Sequence, residues 1–123
     1  MQESGEMYLE TILRIGKKKP TVRAIDIVDE MRFSKPSVSR ALSKLKKGDC
    51  VEVDEKGFIT LTQKGRAIAE KIYERHRVLT EFFVALGVDE EIAAQDACKV
   101  EHVISDTTFE AIKCHAHRES DRP

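Results

Sequence analysis

Apolar residues recur at helical spacing in the first third of the chain. Between residues 6 and 16 they stand at i, i+4 and i+7, which predicts an amphipathic helix that ends at Gly16. Residues 21–31 keep this spacing and predict a second helix with Thr21 as its cap.

A third helix is predicted after the short connection at residues 32–34. Ser34 is its predicted N-cap, and Pro36 stands in the first turn, where proline is tolerated. One side of this helix is apolar, and the other carries Ser37, Arg40, Lys44 and Lys47. Two short helices joined by a tight turn, the second with a polar and basic side, predict a helix-turn-helix.

The apolar spacing changes from helical to alternating after the third helix. Val51 and Val53 alternate with acidic residues, and Ile59 and Leu61 alternate with threonines, while residues 54–57 have the composition of a turn. We therefore predict a β-hairpin, which in this position would be the wing of a winged helix-turn-helix.

The second half of the chain has a helical pattern throughout. Thr62 is predicted to cap a long helix whose apolar stripe continues to Leu86. Two shorter helices are predicted after it, one at residues 90–103 with Asp89 as its cap and one capped by Ser105 or Asp106 that runs to about His115. We expect the tail from Arg118 onward to fray.

Composition excludes several classes of protein. The 123 residues carry 21 basic and 22 acidic side chains, and 41% of them are hydrophobic, which is enough for a core. No apolar run approaches the roughly 18 residues of a membrane-spanning helix. The acidic N-terminus does not resemble a secretory signal, and three widely spaced cysteines are not a disulfide framework, so a cytoplasmic location is expected.

A near-neutral net charge conceals one strongly basic segment. Residues 32–47 contain six basic side chains and no acidic one. Such a segment on a neutral protein indicates a local binding site for a polyanion, although a solvated helix face has the same composition.

The segment Cys98-Lys99-Val100-Glu101-His102 carries the most informative chemistry. On a helix, Cys98, Glu101 and His102 stand at i, i+3 and i+4 and project from one face. Thiolate with imidazole favours iron, cobalt, nickel or zinc over magnesium or calcium. The alternative is a buried cysteine beside an exposed Glu-His pair.

We find no phosphate-binding glycine loop, nucleophile elbow or HExxH string, so we do not expect an enzyme or a small-molecule substrate.

The chain resembles the diphtheria toxin repressor family of iron- and manganese-dependent repressors over roughly residues 4–112. The matching strings are Glu6-Met7-Tyr8-Leu9, Leu61-Thr62-x-x-Gly65, Arg75-His76-Arg77, Gly87-Val88-Asp89 and Glu101-His102-Val103-Ile104-Ser105-Asp106. The resemblance implies a mainly α protein, with a winged helix-turn-helix DNA-binding domain at residues 1–70 and an α-helical metal-binding and dimerisation domain at residues 71–123. It implies the short form of the family, without the SH3-like third domain.

The resemblance also implies a set of metal ligands. In the iron branch, a methionine of the first helix joins a cysteine, a glutamate and a histidine of the second domain, and the matching residues are Met7, Cys98, Glu101 and His102. The manganese branch has aspartate and glutamate in place of the methionine and the cysteine. The soft ligands therefore favour Fe(II) as the activating ion, with Mn(II) second.

A second, ancillary site is implied only in part. His76 matches a histidine that both branches use, and Glu10 stands where the manganese branch has a glutamate ligand. Thr80 and Ala94 replace the remaining ancillary glutamate and histidine of the iron branch. We therefore expect the ancillary site to be missing or to be rebuilt from Glu10 and His76.

The expected partner is double-stranded operator DNA, bound by a homodimer at a near-palindromic site. The third helix would enter the major groove, and a metal held by both domains would fix the position of the DNA-reading helices. The candidate DNA-contacting residues are Ser34, Lys35, Pro36, Ser37, Ser39, Arg40, Lys44 and Lys47.

Two other functions compete with a metal-activated repressor. A metal-independent winged-helix regulator could sense a small molecule or the redox state through Cys98. A metal-buffering or scaffold protein could carry the basic face simply as solvated surface.

Overall fold

The computed structural model describes residues 3–120, and the side chains of residues 4–116. The described residues form six helices and one two-stranded antiparallel sheet. These elements are α1 (Glu3–Lys18), α2 (Ala24–Met31), α3 (Lys35–Lys47), β1 (Val51–Val53), β2 (Ile59–Leu61), α4 (Gln63–Ala85), α5 (Glu90–Val100) and α6 (Asp106–Ser120). The predicted mainly α fold, a winged helix-turn-helix followed by a helical domain, is confirmed.

The chain divides into two compact units, residues 1–71 and residues 72–123. In the first unit, α1, α2 and α3 pack on one another, and the hairpin lies against α1 and α3. The buried apolar side chains of this unit come from every element of the winged helix-turn-helix and include Leu9, Ile12, Ile27, Val38, Leu42, Leu45, Val51 and Ile59. Its core therefore uses the apolar positions that the helical and alternating patterns marked.

The start of α2 differs from the prediction. The helix begins at Ala24 with Arg23 at the N-cap, so the assignment of Thr21 as the cap is wrong. Val22 is buried, and its carbonyl accepts a 2.7 Å hydrogen bond from the amide of Ile59 in β2. This hydrogen bond holds the segment against the hairpin, so the helix begins three residues later than predicted.

The side chain of Asp26 caps α2 from inside the helix. Its Oδ2 accepts a 2.9 Å hydrogen bond from the Arg23 amide, and its Oδ1 lies 2.8 Å from Lys19 Nζ. The hydrogen bond from Lys19, with a further one from the Arg23 backbone, holds the pKa of the Asp26 carboxyl below its usual value. The loop between α1 and α2 is therefore fixed by one carboxylate.

The turn of the helix-turn-helix requires one left-handed residue. Arg32 adopts φ 58° and ψ 33°, and its amide donates to the Val28 carbonyl at the end of α2. The predicted N-cap of α3 is confirmed, since Ser34 Oγ accepts a hydrogen bond from the Ser37 amide. Pro36 lies in the first turn of α3, where its missing amide hydrogen removes no helical bond.

The wing is a short hairpin in the predicted position. Val51 pairs with Leu61 and Val53 pairs with Ile59, and Asp54 Oδ1 accepts hydrogen bonds from two amides of the turn. The turn also uses Gly57, which has a φ of 83°. One face of the hairpin is buried, and its tip is exposed.

The first turn of α4 passes directly against the backbone before β1. Thr62 Oγ1 accepts from the Gly65 amide and donates to the Asp49 carbonyl, as a capping threonine does. A Cβ atom on Gly65 would lie 2.0 Å from the carbonyl oxygen of Cys50, so this contact requires glycine. At the other end, α4 ends at Ala85, one residue before the predicted Leu86, and Leu86 is 66% exposed.

The second unit has a small apolar core of its own. Val78, Leu79, Ala97 and Phe109 are buried together, and the partly buried Phe83, Val100, Ile104 and Ile112 pack against them. The predicted N-cap of α5 is confirmed, since Asp89 accepts a hydrogen bond from the Glu91 amide. The core is therefore built by α4, α5 and α6.

Three helix ends differ from the predictions. The first helix continues two residues past Gly16, since the Lys19 amide still donates to the Ile15 carbonyl. The fifth helix ends at Val100 rather than at residue 103, because the amides of residues 103 and 104 both donate to the Val100 carbonyl. The sixth helix continues to Ser120, so residues 118–120 are helical instead of frayed, and residues 121–123 lie outside the described part.

Replacing Gly65 by alanine should destabilise the protein strongly. The new methyl group would meet backbone atoms of Cys50, which cannot move as a flexible side chain can. We expect the free energy of unfolding in urea to fall by about 2 kcal/mol or more. Gly16→Ala is the matched control, because its Cβ would lie 4.0 Å from the nearest atom and alanine favours the helix by about 0.5–1 kcal/mol. Equal effects of the two substitutions would contradict the close contact.

Replacing Asp26 by alanine should lower stability in a pH-dependent manner. The pKa of Asp26 is lowered in the folded state, so its contribution is present above the pKa of the unfolded chain and is lost as the pH falls through the folded value. We expect a loss of about 1 kcal/mol near pH 7. This difference from the wild type should shrink below about pH 4. Asp29→Ala, at an exposed position of the same helix, should show no such pH dependence in urea unfolding.

Candidate functional site

A buried carboxylate lies at the end of α5. Glu101 is the C-cap residue of this helix, with φ −58° and ψ −26°, and its side chain is 1% exposed. Two imidazoles contact it: His76 Nδ1 of α4 lies 2.8 Å from Oε2, and His102 Nε2 lies 3.4 Å from Oε1. The His102 side chain is fully buried, and that of His76 is 22% exposed. The structure therefore brings together three of the predicted metal ligands, Glu101, His76 and His102.

The candidate ligands of the second unit come from two helices and one turn. His76 is in the middle of α4, and Cys98 lies half-buried in the last turn of α5. Because α5 ends at Val100, His102 belongs to the turn after the helix rather than to the helical face that the i, i+4 spacing predicted. The convergence of Glu101 with a histidine 25 residues earlier was not derivable from local spacing.

The donor chemistry of this cluster suits a divalent transition metal. Imidazole nitrogen and carboxylate oxygen are ligands that manganese, iron and zinc all accept. Within the described residues, however, no group of three or more histidine, cysteine, aspartate and glutamate side chains is arranged to hold a metal ion. The His76 imidazole is hydrogen-bonded to the carboxylate, whereas His102 Nε2 is buried 3.4 Å from it.

The other two predicted ligands belong to α1 in the first unit. Met7 is half-buried, and Glu10 is 4% exposed, with its Oε1 3.7 Å from Arg14 Nη1 one turn later. A carboxylate this deeply buried is unusual on a small domain. Only the family resemblance raised Glu10 as a candidate ligand, because the apolar spacing does not mark this position.

A residue that sequence reasoning did not assign to the site supports it from α4. Arg75 is 6% exposed, and its Nη1 donates hydrogen bonds to the carbonyl oxygens of Glu101 (3.0 Å) and Ile104 (2.9 Å). Its Nη2 forms an ion pair with Asp106 at the start of α6. The sequence offers one signal for this role. Arg75 stands on the apolar side of its helix, three residues before the buried Val78, and a buried charge without a partner would cost free energy.

The predicted DNA-contacting residues lie on α3 and at its N-cap. All of them are exposed except Ser37, which is half-buried, and the opposite side of the helix buries Val38, Leu42 and Leu45. This surface, which we call the α3 basic face, consists of Ser34, Lys35, Pro36, Ser37, Ser39, Arg40, Lys44 and Lys47. It has the dimensions of a recognition helix, since 13 residues extend about 20 Å.

Local contacts distinguish the members of the α3 basic face. Ser34 Oγ is used by the N-cap and by a 2.9 Å hydrogen bond to Ser37 Oγ. Arg40 Nη2 lies 3.5 Å from Ser37 Oγ, so it is held only weakly. Burial raises the pKa of the neighbouring Tyr8 phenol, and the positive charge of Arg40 opposes this effect to a lesser degree. Tyr8 is therefore a neutral residue at physiological pH.

The tip of the wing adds further polar groups to the first unit. Lys56 is exposed in the turn, and Arg23 stacks over the ring of Phe58 at 4.6 Å from its centroid. The hairpin is also acidic at Glu52 and Glu55. The basic charge of this unit is thus more concentrated on α3 than on the wing.

No helix in the part of the chain that the structure describes is both long enough and apolar enough to cross a membrane. This is consistent with the absence of long apolar runs from the sequence.

Two family models match the chain and divide it between them. Residues 1–58 match the iron-dependent repressor N-terminal DNA-binding domain, and residues 62–119 match the iron-dependent repressor metal-binding and dimerisation domain. The α3 basic face lies within the first match, and the cluster around Glu101 lies within the second.

Individual proteins show the same similarity. An uncharacterised HTH-type transcriptional regulator of Methanocaldococcus jannaschii is 32% identical, over 99% of this chain and 99% of its own length. The HTH-type transcriptional regulator MntR of Bacillus subtilis is 30% identical over 89% of this chain and 77% of its own length. The crystal structure of the metal-dependent transcriptional regulator MtsR superposes with a TM-score of 0.86 and 27% identity, covering 95% of this chain but 55% of its own. The chain thus spans about half the length of that solved regulator.

Proposed function

Because this chain belongs to the family of iron-dependent repressors, which are metal-dependent DNA-binding transcriptional regulators, we propose that Fe(II) is its activating ion and Mn(II) the second choice. The observation that supports a metal site is the buried Glu101 carboxylate between two imidazoles, in the unit that matches a metal-binding domain. The preference for iron rests on the soft candidate ligands Met7 and Cys98. Burial of a charged carboxylate costs free energy unless a cation or a proton compensates its charge.

The proposed ligands are Met7, Cys98, Glu101 and His102, with Glu10 and His76 as ancillary ligands. Thioether and thiolate are soft donors, which favours Fe(II) over Mn(II) when nitrogen and oxygen donors are otherwise shared. When bound, the ion would supply a compact positive charge that holds these donors together. Glu101 and His102 would provide oxygen and nitrogen from the second unit, and His76 would orient the carboxylate by its 2.8 Å contact.

The proposed partner is operator DNA, bound by a homodimer in the cytoplasm. Large apolar side chains are exposed on the second unit, namely Val84, Leu86, Ile92 and Val103. Exposed apolar residues of this kind support a contact between copies of the chain. A two-fold dimer would present two α3 basic faces, which predicts a near-palindromic operator.

The proposed mechanism couples metal binding to DNA binding. A ligand that binds the DNA-competent state more tightly increases the population of that state, and linkage makes the effect reciprocal. Metal should then raise operator affinity by the same factor by which operator raises metal affinity. This reciprocity is a property of the binding free energies and requires no enzymatic step.

Genomic DNA selection tests the proposal directly. Chelator-stripped protein should retain specific fragments under anaerobic conditions only when Fe(II) or Mn(II) is added, and the more effective ion identifies the activator. Equal recovery with and without metal would leave a DNA-binding protein that metal does not activate. Retention of no fragment under any condition would favour a metal-buffering protein.

Cys98→Ala and Met7→Ala should each abolish metal-stimulated operator binding, because each removes a proposed soft ligand. The dimer should remain intact in sedimentation. Cys114→Ala is the matched control, since this cysteine is exposed on α6 and is not a proposed ligand. Metal stimulation equal to that of the wild type in Cys98→Ala would remove Cys98 from the site, and the same holds for Met7.

Arg40→Ala should change sequence preference more than the salt dependence of binding. Arginine is suited to guanine in the major groove, and a bidentate contact contributes about 1–3 kcal/mol of base discrimination. Lys47→Ala should instead lower the slope of log affinity against log salt by about 1, as expected for a phosphate contact. Fluorescence anisotropy with single-base operator variants separates these outcomes. A change of slope without a change of preference in Arg40→Ala would make Arg40 a backbone contact.

A further inference from the structure

The guanidinium of Arg75 joins three parts of the second unit. It binds the carbonyl oxygens of Glu101 and Ile104, and it pairs with the carboxylate of Asp106. The first of these acceptors ends α5, and the last begins α6. One buried side chain of α4 thus fixes both ends of the turn that contains His102.

Only an arginine can make this set of contacts. Its planar fork presents several N–H donors in fixed directions, whereas a lysine ammonium is a point charge on a flexible stem. The positive charge also lies at the C-terminus of α5, where the helical carbonyl groups carry a partial negative charge. The ring of Phe109, which is 4% exposed, lies 5.6 Å from the guanidinium carbon and limits its movement.

Two consecutive residues of α4 hold the same glutamate at different points. Arg75 binds the main-chain carbonyl of Glu101, and His76 contacts its carboxylate at 2.8 Å. The position of this side chain is therefore defined at its backbone and at its tip. A ligand fixed in this way loses little conformational freedom when it binds an ion.

We propose that Arg75 is a positioning residue for metal binding, which holds the turn of residues 101–106 so that Glu101 and His102 are preorganised. This inference rests on the proposed function, because it assigns these two residues to a metal site. It predicts that loss of the guanidinium weakens metal binding although Arg75 itself is not a ligand.

The test compares Arg75→Met and Arg75→Lys with Arg77→Met in the full chain. Arg77 is the matched control, since its guanidinium is 54% exposed and pairs only weakly, at 3.6 Å, with Glu81 of the same helix. Asp106→Asn is a milder variant that weakens one of the three contacts and keeps the two carbonyl bonds. Mn(II) affinity is measured by calorimetry, stability of the metal-free protein by urea unfolding, and order of the turn by amide hydrogen exchange.

Arg75→Met should lower Mn(II) affinity by about tenfold or more, as loss of a supporting contact around a metal site does. Arg75→Lys should restore part of this loss, and Asp106→Asn should show a smaller one. In the metal-free protein, the amides of Val103 and Ile104 should exchange faster in Arg75→Met. Both amides donate to the Val100 carbonyl at the end of α5, in the turn that Arg75 holds. Arg77→Met should match the wild type in all three measurements.

Three results would overturn the inference, and they are distinguishable. Wild-type affinity in folded Arg75→Met and Asp106→Asn would make Arg75 purely structural, even if the urea midpoint fell. If Arg75→Met does not fold, wild-type metal affinity and wild-type amide exchange in Asp106→Asn would likewise make Arg75 purely structural. Absence of Mn(II) and Fe(II) binding by the wild type would instead overturn the proposed function, and the positioning role with it.

Discussion

A carboxylate with 1% of its surface exposed must find its partners within the protein, and Glu101 finds them in two imidazoles. Burial of this charge is costly, so the elements around it are arranged to compensate it. His76 approaches from α4, while Arg75 binds the backbone of Glu101 from the same helix. The start of α6 is attached to the same guanidinium. The polar contacts around one glutamate thus connect all three helices of the second unit.

The first unit is organised by a different kind of constraint. Its elements meet through apolar packing and through one very close backbone approach, in which Gly65 of α4 leaves no room for a Cβ beside Cys50. Capping groups, such as those of Ser34 and Thr62, fix where its helices begin. This packing buries one side of α3 and leaves the basic side exposed. A protein of nearly neutral net charge thereby presents a locally positive surface to a polyanion.

Local patterns predicted the elements of the fold, because helical and alternating spacing report which side of each element is buried. They failed where a distant residue decides the local conformation. The start of α2 depends on a hydrogen bond between Val22 and Ile59, and the end of α5 depends on contacts with Arg75. The candidate site divides in the same way, since the spacing marked Glu101 and His102 but not the approach of His76 from another helix. The roles of Met7 and Glu10 came from family resemblance alone.

In the proposed site, metal preference turns on donors outside the cluster around Glu101. Carboxylate and imidazole are acceptable to manganese, iron and zinc alike, so as proposed ligands Glu101 and its two histidines would provide affinity with little discrimination. In this proposal, selectivity would come from residues that differ in softness, and in this sequence the soft candidates are Met7 and Cys98. In this proposal, Arg75 and His76 would preorganise a shared carboxylate, and the sulfur atoms would choose among the ions that it accepts.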